Sequence, residues 1–397
     1  MSKASRAILL VAALQFVYLV DFMMVLPLGP DLAREHGFAL DRLGWLAAAY
    51  TLASALSGLV TFRLLDRFDR KPALLLTFGL LALATFATTF CHGLPALMVA
   101  RALTGAFGGP AVAIGMAIVI DMTPPEQRGK AMAKVMLGFS LAAIAGVPLG
   151  LELARAGGWQ APFYMVAALA GLVLVAMACL LPALEGHLNA RHKESARVSA
   201  RVLLARPAVR LAMLLQAGSA FSAFLVIPHF SAYFLLNLGF PRAQLGMLYF
   251  AGGVVALLTV QLLGRLADRA GPVLAAALAS SAFCAGLAPF FGLGAALPIL
   301  FFVLFMAGNA GRNVTMAATV SQVPSPHERA GFMSLQSLVQ DVAIGAAALV
   351  TSWQLGEAAD GRLTGMAPVA ALAAVIAVGV AGGLARLAGA RRAVALE

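Results

Sequence analysis

Phe62-Arg63-Leu64-Leu65-Asp66-Arg67-Phe68-Asp69-Arg70-Lys71 separates the apolar stretches 42–65 and 72–91. It returns later in the chain as Gly264-Arg265-Leu266-Ala267-Asp268-Arg269-Ala270-Gly271-Pro272. The two Asp-Arg pairs lie 202 positions apart. A second echo has almost the same offset: Pro124-Pro125-Glu126-Gln127-Arg128-Gly129-Lys130-Ala131-Met132 matches Pro324-Ser325-Pro326-His327-Glu328-Arg329-Ala330-Gly331-Phe332-Met333. Two echoes at nearly one spacing imply a duplicated unit. Around them, apolar stretches of helical length fall near 7–29, 42–65, 72–91, 96–120, 131–154, 161–182, 208–235, 244–265, 273–292, 297–320, 331–353 and 365–387. Each unit therefore holds six.

Composition agrees. Of the 397 residues, 61% are hydrophobic and only 11% are charged, and the mean hydropathy is +0.92. Soluble proteins carry about 25% charged residues. A soluble fold has too little interior for this much apolar surface. An ordinary cytosolic enzyme, a disordered chain and a secreted disulfide scaffold are excluded. Twelve spans of about 20 residues need about 240 apolar-rich positions, which fits. The expected fold is an all-α membrane protein of twelve transmembrane helices in two pseudo-symmetric six-helix bundles, with both termini cytoplasmic. Cys91, Cys179 and Cys284 show no metal-type spacing, so neither a metal site nor a disulfide framework is expected. The first span follows Met1-Ser2-Lys3-Ala4-Ser5-Arg6 without a small-residue cleavage site and is read as a retained helix.

The net charge of +11 would suggest nucleic acid in a soluble protein. Its distribution suggests topology instead. With both ends inside, 21 of the 28 Lys and Arg fall in cytoplasmic segments and five in outer ones; Arg101 and Arg312 lie within spans. This is a positive-inside bias. Trp45, Trp159 and Trp353 fall at the outer ends of spans, where an aromatic belt belongs. The domain reading is an N-terminal bundle over 1–182, a basic cytoplasmic linker over 183–207 and a C-terminal bundle over 208–397. The linker reads chiefly as a solvated tether near anionic lipid, with a membrane-surface helix as the alternative.

The residues resemble the major facilitator superfamily, over the whole chain. Within it they are most similar to the drug/proton antiporter and sugar-efflux (arabinose-efflux-permease-like) branch. Four features carry the resemblance. The loop Asp66-Arg67-Phe68-Asp69-Arg70-Lys71 is similar to the GxLaDRxGRK signature. Arg101-Ala102-Leu103-Thr104-Gly105 is similar to RxxxG in helix 4. Gly146-Val147-Pro148-Leu149-Gly150 is similar to the antiporter GxP motif in helix 5. Asp21 in helix 1 precedes Leu26-Pro27-Leu28-Gly29-Pro30. Phe62 and Asp69 replace the two signature glycines, which the second-half copy keeps as Gly264 and Gly271. The resemblance implies a cytoplasmic latch. Asp66 would sit by the helix beginning near Gly331, Arg70 would pair with Asp121, and Arg67, Asp268 and Arg269 would complete the set. Gly146, Pro148 and Gly150 would form a hinge in helix 5. The superfamily usually works as a monomer.

Ionisable residues inside a span are costly and are functional candidates by default. Asp21 lies about 14 residues into its span, roughly 21 Å at 1.5 Å per residue. Arg101 and Glu152 lie at comparable depth, and the three are expected to form a charge cluster. In the second half the depths of Arg312 and Asp341 match, so these two are expected to pair. His229 is a histidine well inside a span and follows Pro228. Proton-coupling candidates are Asp21, Arg101, Asp341, Glu152 and His229. Substrate-cavity candidates are Gln15, Tyr18, Tyr50, Gln216, His229, Asn309, Arg312, Gln336 and Gln340.

No catalytic or nucleotide-binding motif occurs. The expected activity is therefore not enzymatic. It is secondary transport with no cofactor, driven by a proton gradient. The leading reading is proton-coupled efflux of small organic molecules by alternating access. The alternatives are uptake of a sugar or metabolite by a symporter or facilitator, or lipid and lysolipid flipping. Expected partners are a small-molecule substrate, protons and the lipid bilayer, with no nucleic acid. The Ala-, Gly- and Arg-rich composition and short loops suggest a bacterial inner membrane.

Overall fold

A computed structural model describes residues 2–64, 69–124, 127–182, 200–294, 297–325 and 328–394. The chain divides into two compact units, Met1–Glu194 and Ser195–Glu397. Among the described residues the structure is helical apart from one two-stranded hairpin. Among them, eleven helical segments are long and apolar enough to cross a membrane. The expected stretch 273–292 instead forms a 15-residue helix, Pro272–Gly286, followed by the 3-10 turn Ala288–Phe291. Pro289 removes a backbone donor and Gly292 adopts φ +76°, so the α-helix stops early.

In the first unit the helices are α1 (Lys3–Val25), α2 (Gly29–His36), α3 (Leu43–Leu64), α4 (Arg70–Thr88), α5 (Gly93–Met122), α6 (Arg128–Leu141), α7 (Val147–Gly157) and α8 (Ala161–Leu180). Ser2 caps α1 by accepting the Ser5 N–H at 3.1 Å. Asp69 caps α4 by accepting the Lys71 N–H at 3.0 Å. The residue that replaces a signature glycine therefore starts a helix. α5 packs on α3 and α4, while α1 packs on α5, α6 and α8.

In the second unit the helices are α9 (Ala200–Ala205), α10 (Pro207–Phe224), α11 (Phe230–Leu236), α12 (Leu245–Ala270), α13 (Pro272–Gly286), α14 (Pro298–Val320), α15 (Arg329–Gln354) and α16 (Met366–Val394). Pro opens α10, α13 and α14, where a missing N–H costs nothing. α14 packs on α12 and α13, and α10 packs on α15 and α16. The expected linker thus ends in helical structure: α9 and the first residue of α10, Pro207, lie within it.

The large apolar residues lie both inside and outside. Phe78, Phe163, Phe283 and Phe305 are buried, whereas Leu56, Leu83, Leu172, Leu214 and Val375 are exposed. Helices apolar all round satisfy their own backbone groups and present carbon to lipid. The protein is a multi-pass membrane protein. Strand β1 (Gly356–Glu357) pairs antiparallel with β2 (Leu363–Thr364) between α15 and α16. Asn237 closes this hairpin against the end of α11. Its Oδ1 accepts the Leu363 N–H at 3.0 Å, and its Nδ2 donates to the Leu363 carbonyl at 2.8 Å.

Candidate functional site

In the first unit four helices converge on one carboxylate. Asp21 on α1 is fully buried. Thr85 Oγ1 on α4 donates to its Oδ1 at 2.9 Å. Arg101 on α5 donates from Nη1 to Oδ1 at 3.3 Å and forms an ion pair from Nη2 to Oδ2. The guanidinium lies 4.9 Å from the ring centroid of Tyr50 on α3. Tyr50 in turn packs against Phe22 and Tyr18. The cluster is closed to bulk water. The cavity beside Arg101, Tyr50 and Phe22 holds about 10 Å³, room for a single water.

The spacing of the helix 4 motif explains this geometry. Gly105 sits one turn after Arg101, and a Cβ there would overlap the Tyr50 carbonyl oxygen. A glycine at that point lets α5 approach α3 closely enough to lay the guanidinium on Tyr50. Gly108 does the same toward the Tyr18 ring.

The helix 5 motif forms a break in the helix. Between α6 and α7, residues Ala142–Gly146 form a π-helical turn, in which the Val147 N–H bonds to the Ala142 carbonyl. Pro148 lacks the N–H that would bond four residues back, so the ladder slips by one residue. Gly146 packs directly on Val20, and Gly138 on the Ala12 carbonyl. Gly150 has only ordinary contacts, with Pro162 and Met24. The nominated glycines are therefore not equivalent.

Glu152 does not join the buried cluster. It pairs with Arg155 on its own helix at 2.8 Å, and both are exposed. The helical rotation that buries Leu151 turns Glu152 outward. Gln15 is buried on α1, and its Oε1 has no hydrogen-bond partner among the described residues.

At the other end of this unit, Arg70 forms an ion pair with Asp121 and donates to the Ala117 carbonyl at 3.2 Å. Lys71 Nζ donates to the carbonyls of Ala178 and Leu181 at the end of α8, where a cation suits the helix dipole. Asp66 and Arg67 lie outside the described residues. On the second unit Asp268 and Arg269 are exposed at the end of α12.

In the second unit Gln216 on α10 is buried and links two residues of α15. Its Nε2 donates to Gln340 Oε1 at 2.9 Å, and its Oε1 accepts from Gln336 Nε2 at 2.9 Å. Arg312 on α14 does not pair with Asp341. Its Nη2 donates to Ser222 Oγ at 2.6 Å and reaches the Ser219 carbonyl at 3.4 Å. The guanidinium lies 4.3 Å from the Phe283 ring centroid. Matching depth placed Arg312 and Asp341 at one level, but the rotation of α14 aims the guanidinium at α10 and α13. Asp341 is half-buried on α15, and Asn309 is half-buried on α14. His229 is fully buried in the 3-10 turn Ile227–His229 that interrupts the helical run after α10. Thr351 Oγ1 covers the break by donating to the Leu225 carbonyl at 2.8 Å.

Several residues of these sites escaped the sequence reading. Thr85, Ser219 and Ser222 are small polar residues in apolar runs, with no local signature. Glu328 carried one. Ser325-x-x-Glu328 is a capping-box pattern, and Glu328 Oε2 accepts from Ser325 N at 3.0 Å and Ser325 Oγ at 2.6 Å. Arg206, just before α10, completes that corner by donating to Glu328 at 2.6 Å and to the Val323 carbonyl at 3.2 Å. These bonds hold the Glu328 carboxyl well below its usual range, at about 2.

A family model described as Major Facilitator Superfamily matches residues 11–348. A probable sugar efflux transporter from Mannheimia succiniciproducens is 25% identical over 269 residues, covering 66% of this chain and 65% of that protein. The 3-(3-hydroxy-phenyl)propionate transporter of Escherichia coli is 30% identical over 257 residues, covering 64% of this chain and 62% of that protein. The chain thus aligns with less than two thirds of the length of these relatives. Among solved structures, the D-xylose-proton symporter superposes with a TM-score of 0.77 at 14% identity, covering 96% of this chain and 97% of the other. That likeness is one of fold.

Proposed function

The chain belongs to the major facilitator superfamily, and from that premise we propose that it is a proton-coupled secondary transporter exporting small organic molecules by alternating access. It works in a bacterial inner membrane, as a monomer with both termini cytoplasmic. The observation that carries the reading is the buried Asp21–Arg101–Thr85 cluster. An ionisable carboxylate held inside a span is a candidate proton carrier by default, and Arg101 and Thr85 are the groups that hold this one. The π-helical turn beside Pro148 supports the reading, because it places a deformable point directly against α1, the helix that carries Asp21. The Arg70–Asp121 pair serves as a cytoplasmic latch. The names of the two curated relatives, one an efflux transporter and one a transporter of an aromatic acid, support small organic molecules as the cargo class.

Proteoliposomes with an imposed pH gradient test this. Lumenal pH is followed while lipophilic cations, organic acids, sugars and lysolipids are added in turn. Compound-dependent proton flux that disappears in Asp21→Asn is the expected result, with proton entry coupled to compound exit. Saturable exchange of labelled solute without proton movement would instead make the protein a facilitator or flippase.

A further inference from the structure

The second unit contains a buried polar band with an unbalanced charge. Gln216, Ser219 and Ser222 recur at i, i+3 and i+6 along α10 and are all buried. This spacing puts them on one face of the helix. Arg312 meets that face from α14 and is only 2% exposed. Among the described residues its neighbours are a hydroxyl, a carbonyl, an aromatic ring and the Cys284 thiol, with no carboxylate among them. Its Nε and Nη1 have no hydrogen-bond partner among the described residues. Arg101 makes the contrast plain: it is equally buried, but both oxygens of Asp21 face it.

Burying a cation without a counter-ion is strongly unfavourable. Inside a membrane protein it marks a site by default. The unused donors define what is missing: a compact anion that accepts N–H bonds. The band also has an outward end. Gln216 is linked to Gln340, whose side chain is exposed within this unit. The polar face that Arg312 meets on α10 therefore reaches the surface of the unit at Gln340.

We infer that Arg312 binds the negatively charged group of the transported molecule, which is a small organic anion bearing a carboxylate. The Gln216–Gln336–Gln340 amides line its approach. Charge-assisted bonds from Nε and Nη1 supply the selectivity against neutral analogues. The inference rests on the transporter reading for its cargo, but binding can be measured without transport.

The test uses the purified full chain and two probe pairs, benzoate with benzamide and hexanoate with hexanamide. Thermal unfolding in detergent reads binding, and proteoliposome uptake reads transport. Benzoate or hexanoate is expected to raise the unfolding temperature of the wild type while the amides do not. Arg312→Gln should weaken the anion response about tenfold or more, and Arg312→Lys should keep part of it. Arg312→Gln without probe should unfold no earlier than wild type, because it removes an uncompensated charge. Should that variant fail to fold, Ser222→Ala, which frees Nη2, still has to change the anion response.

Three results would overturn the inference. One is a wild type that responds equally to acid and amide, or to neither. Another is an anion response unchanged in folded Arg312→Gln. The last is recovery of transport in the Arg312→Gln/Asp341→Asn double variant, which would make Asp341 the counter-ion in another state. Anion binding through Arg312 with no transport of any compound would keep Arg312 as a carboxylate site and remove the transporter reading on which its cargo role rests.

Discussion

Asp21 and Arg101, 80 positions apart in sequence, form an ion pair in which both side chains are buried. Thr85 takes a further lone pair of the carboxylate, and Tyr50 covers the guanidinium. Each charge is tolerated only because the other is present, so the pair ties α1 to α5.

Asp21→Asn leaves Arg101 buried without its counter-ion. Truncating one partner of such a pair costs about 3–5 kcal/mol. The variant should unfold at a lower temperature and lose compound-dependent proton flux. Asp21→Asn combined with Arg101→Gln should recover much of the stability and none of the flux. A double-mutant cycle on unfolding, run beside the flux assay, separates the two roles.

Gly105→Ala should be poorly tolerated, because its Cβ would overlap the backbone of Tyr50 and no rotamer can relieve that. Overpacking of this kind costs about 1–3 kcal/mol and would lift Arg101 from the ring. Gly150→Ala should be close to neutral, as its nearest neighbour would be 3.6 Å away. Unfolding temperatures of the two variants check this directly. Equal effects would contradict the close approach of α5 to α3.

Gln216→Leu removes both amide bonds between α10 and α15. Interhelical hydrogen bonds in membrane proteins average about 0.6 kcal/mol each. The expected loss is therefore about 1 kcal/mol, small enough for the protein to fold. A clear drop in transport with a small change in unfolding would show that the amides act on cargo and not only on packing.

Glu328 has a native pKa near 2, below the unfolded value of about 4.3. Its contribution to stability is thus fully present above about pH 4.3 and is lost as pH falls through about 2. The stability difference between wild type and Glu328→Gln should be constant above pH 5 and shrink between pH 4 and 2. A difference that stays flat over that window would refute the Arg206–Glu328–Ser325 corner. Urea titrations at a series of pH values read it.

His36, at the end of α2, shifts in the same sense for a different reason. Burial lowers its pKa from 6.5, with Glu35 opposing and His92 assisting. Its Nδ1 accepts the Gly93 N–H at 3.3 Å, which imidazolium cannot do. Neutral His36 is favoured in the fold, so its contribution is present above about pH 6.5 and fades as pH falls through the lower native value. Its titration, followed by NMR of labelled histidine, should have a midpoint below 6.5 that returns toward 6.5 on unfolding.

Much of this protein could be read from one chain. Hydropathy, the positive-inside bias and the two internal echoes are local or additive properties. A bilayer acts on them segment by segment, so they pointed to eleven of the twelve expected spans found among the described residues and to which buried charges deserved attention, while the motifs Asp66–Lys71, Arg101–Gly105 and Gly146–Gly150 carried the family resemblance. Asp21, Arg101, Gln216, Gln336, Gln340 and Arg312 were all nominated that way. Their partners were decided only by the tertiary structure. Depth along a helix follows from counting residues, but the direction in which a side chain points follows from how that helix is rotated and how closely its neighbours approach. Glycines 105 and 146 set those approaches, and the π-helical turn before Pro148 resets the rotation of the helix beyond it. Hence Glu152, at the right depth, faces outward to Arg155, while Thr85, with no signature of its own, meets Asp21. Arg312, at the level of Asp341, meets two serines and a ring instead.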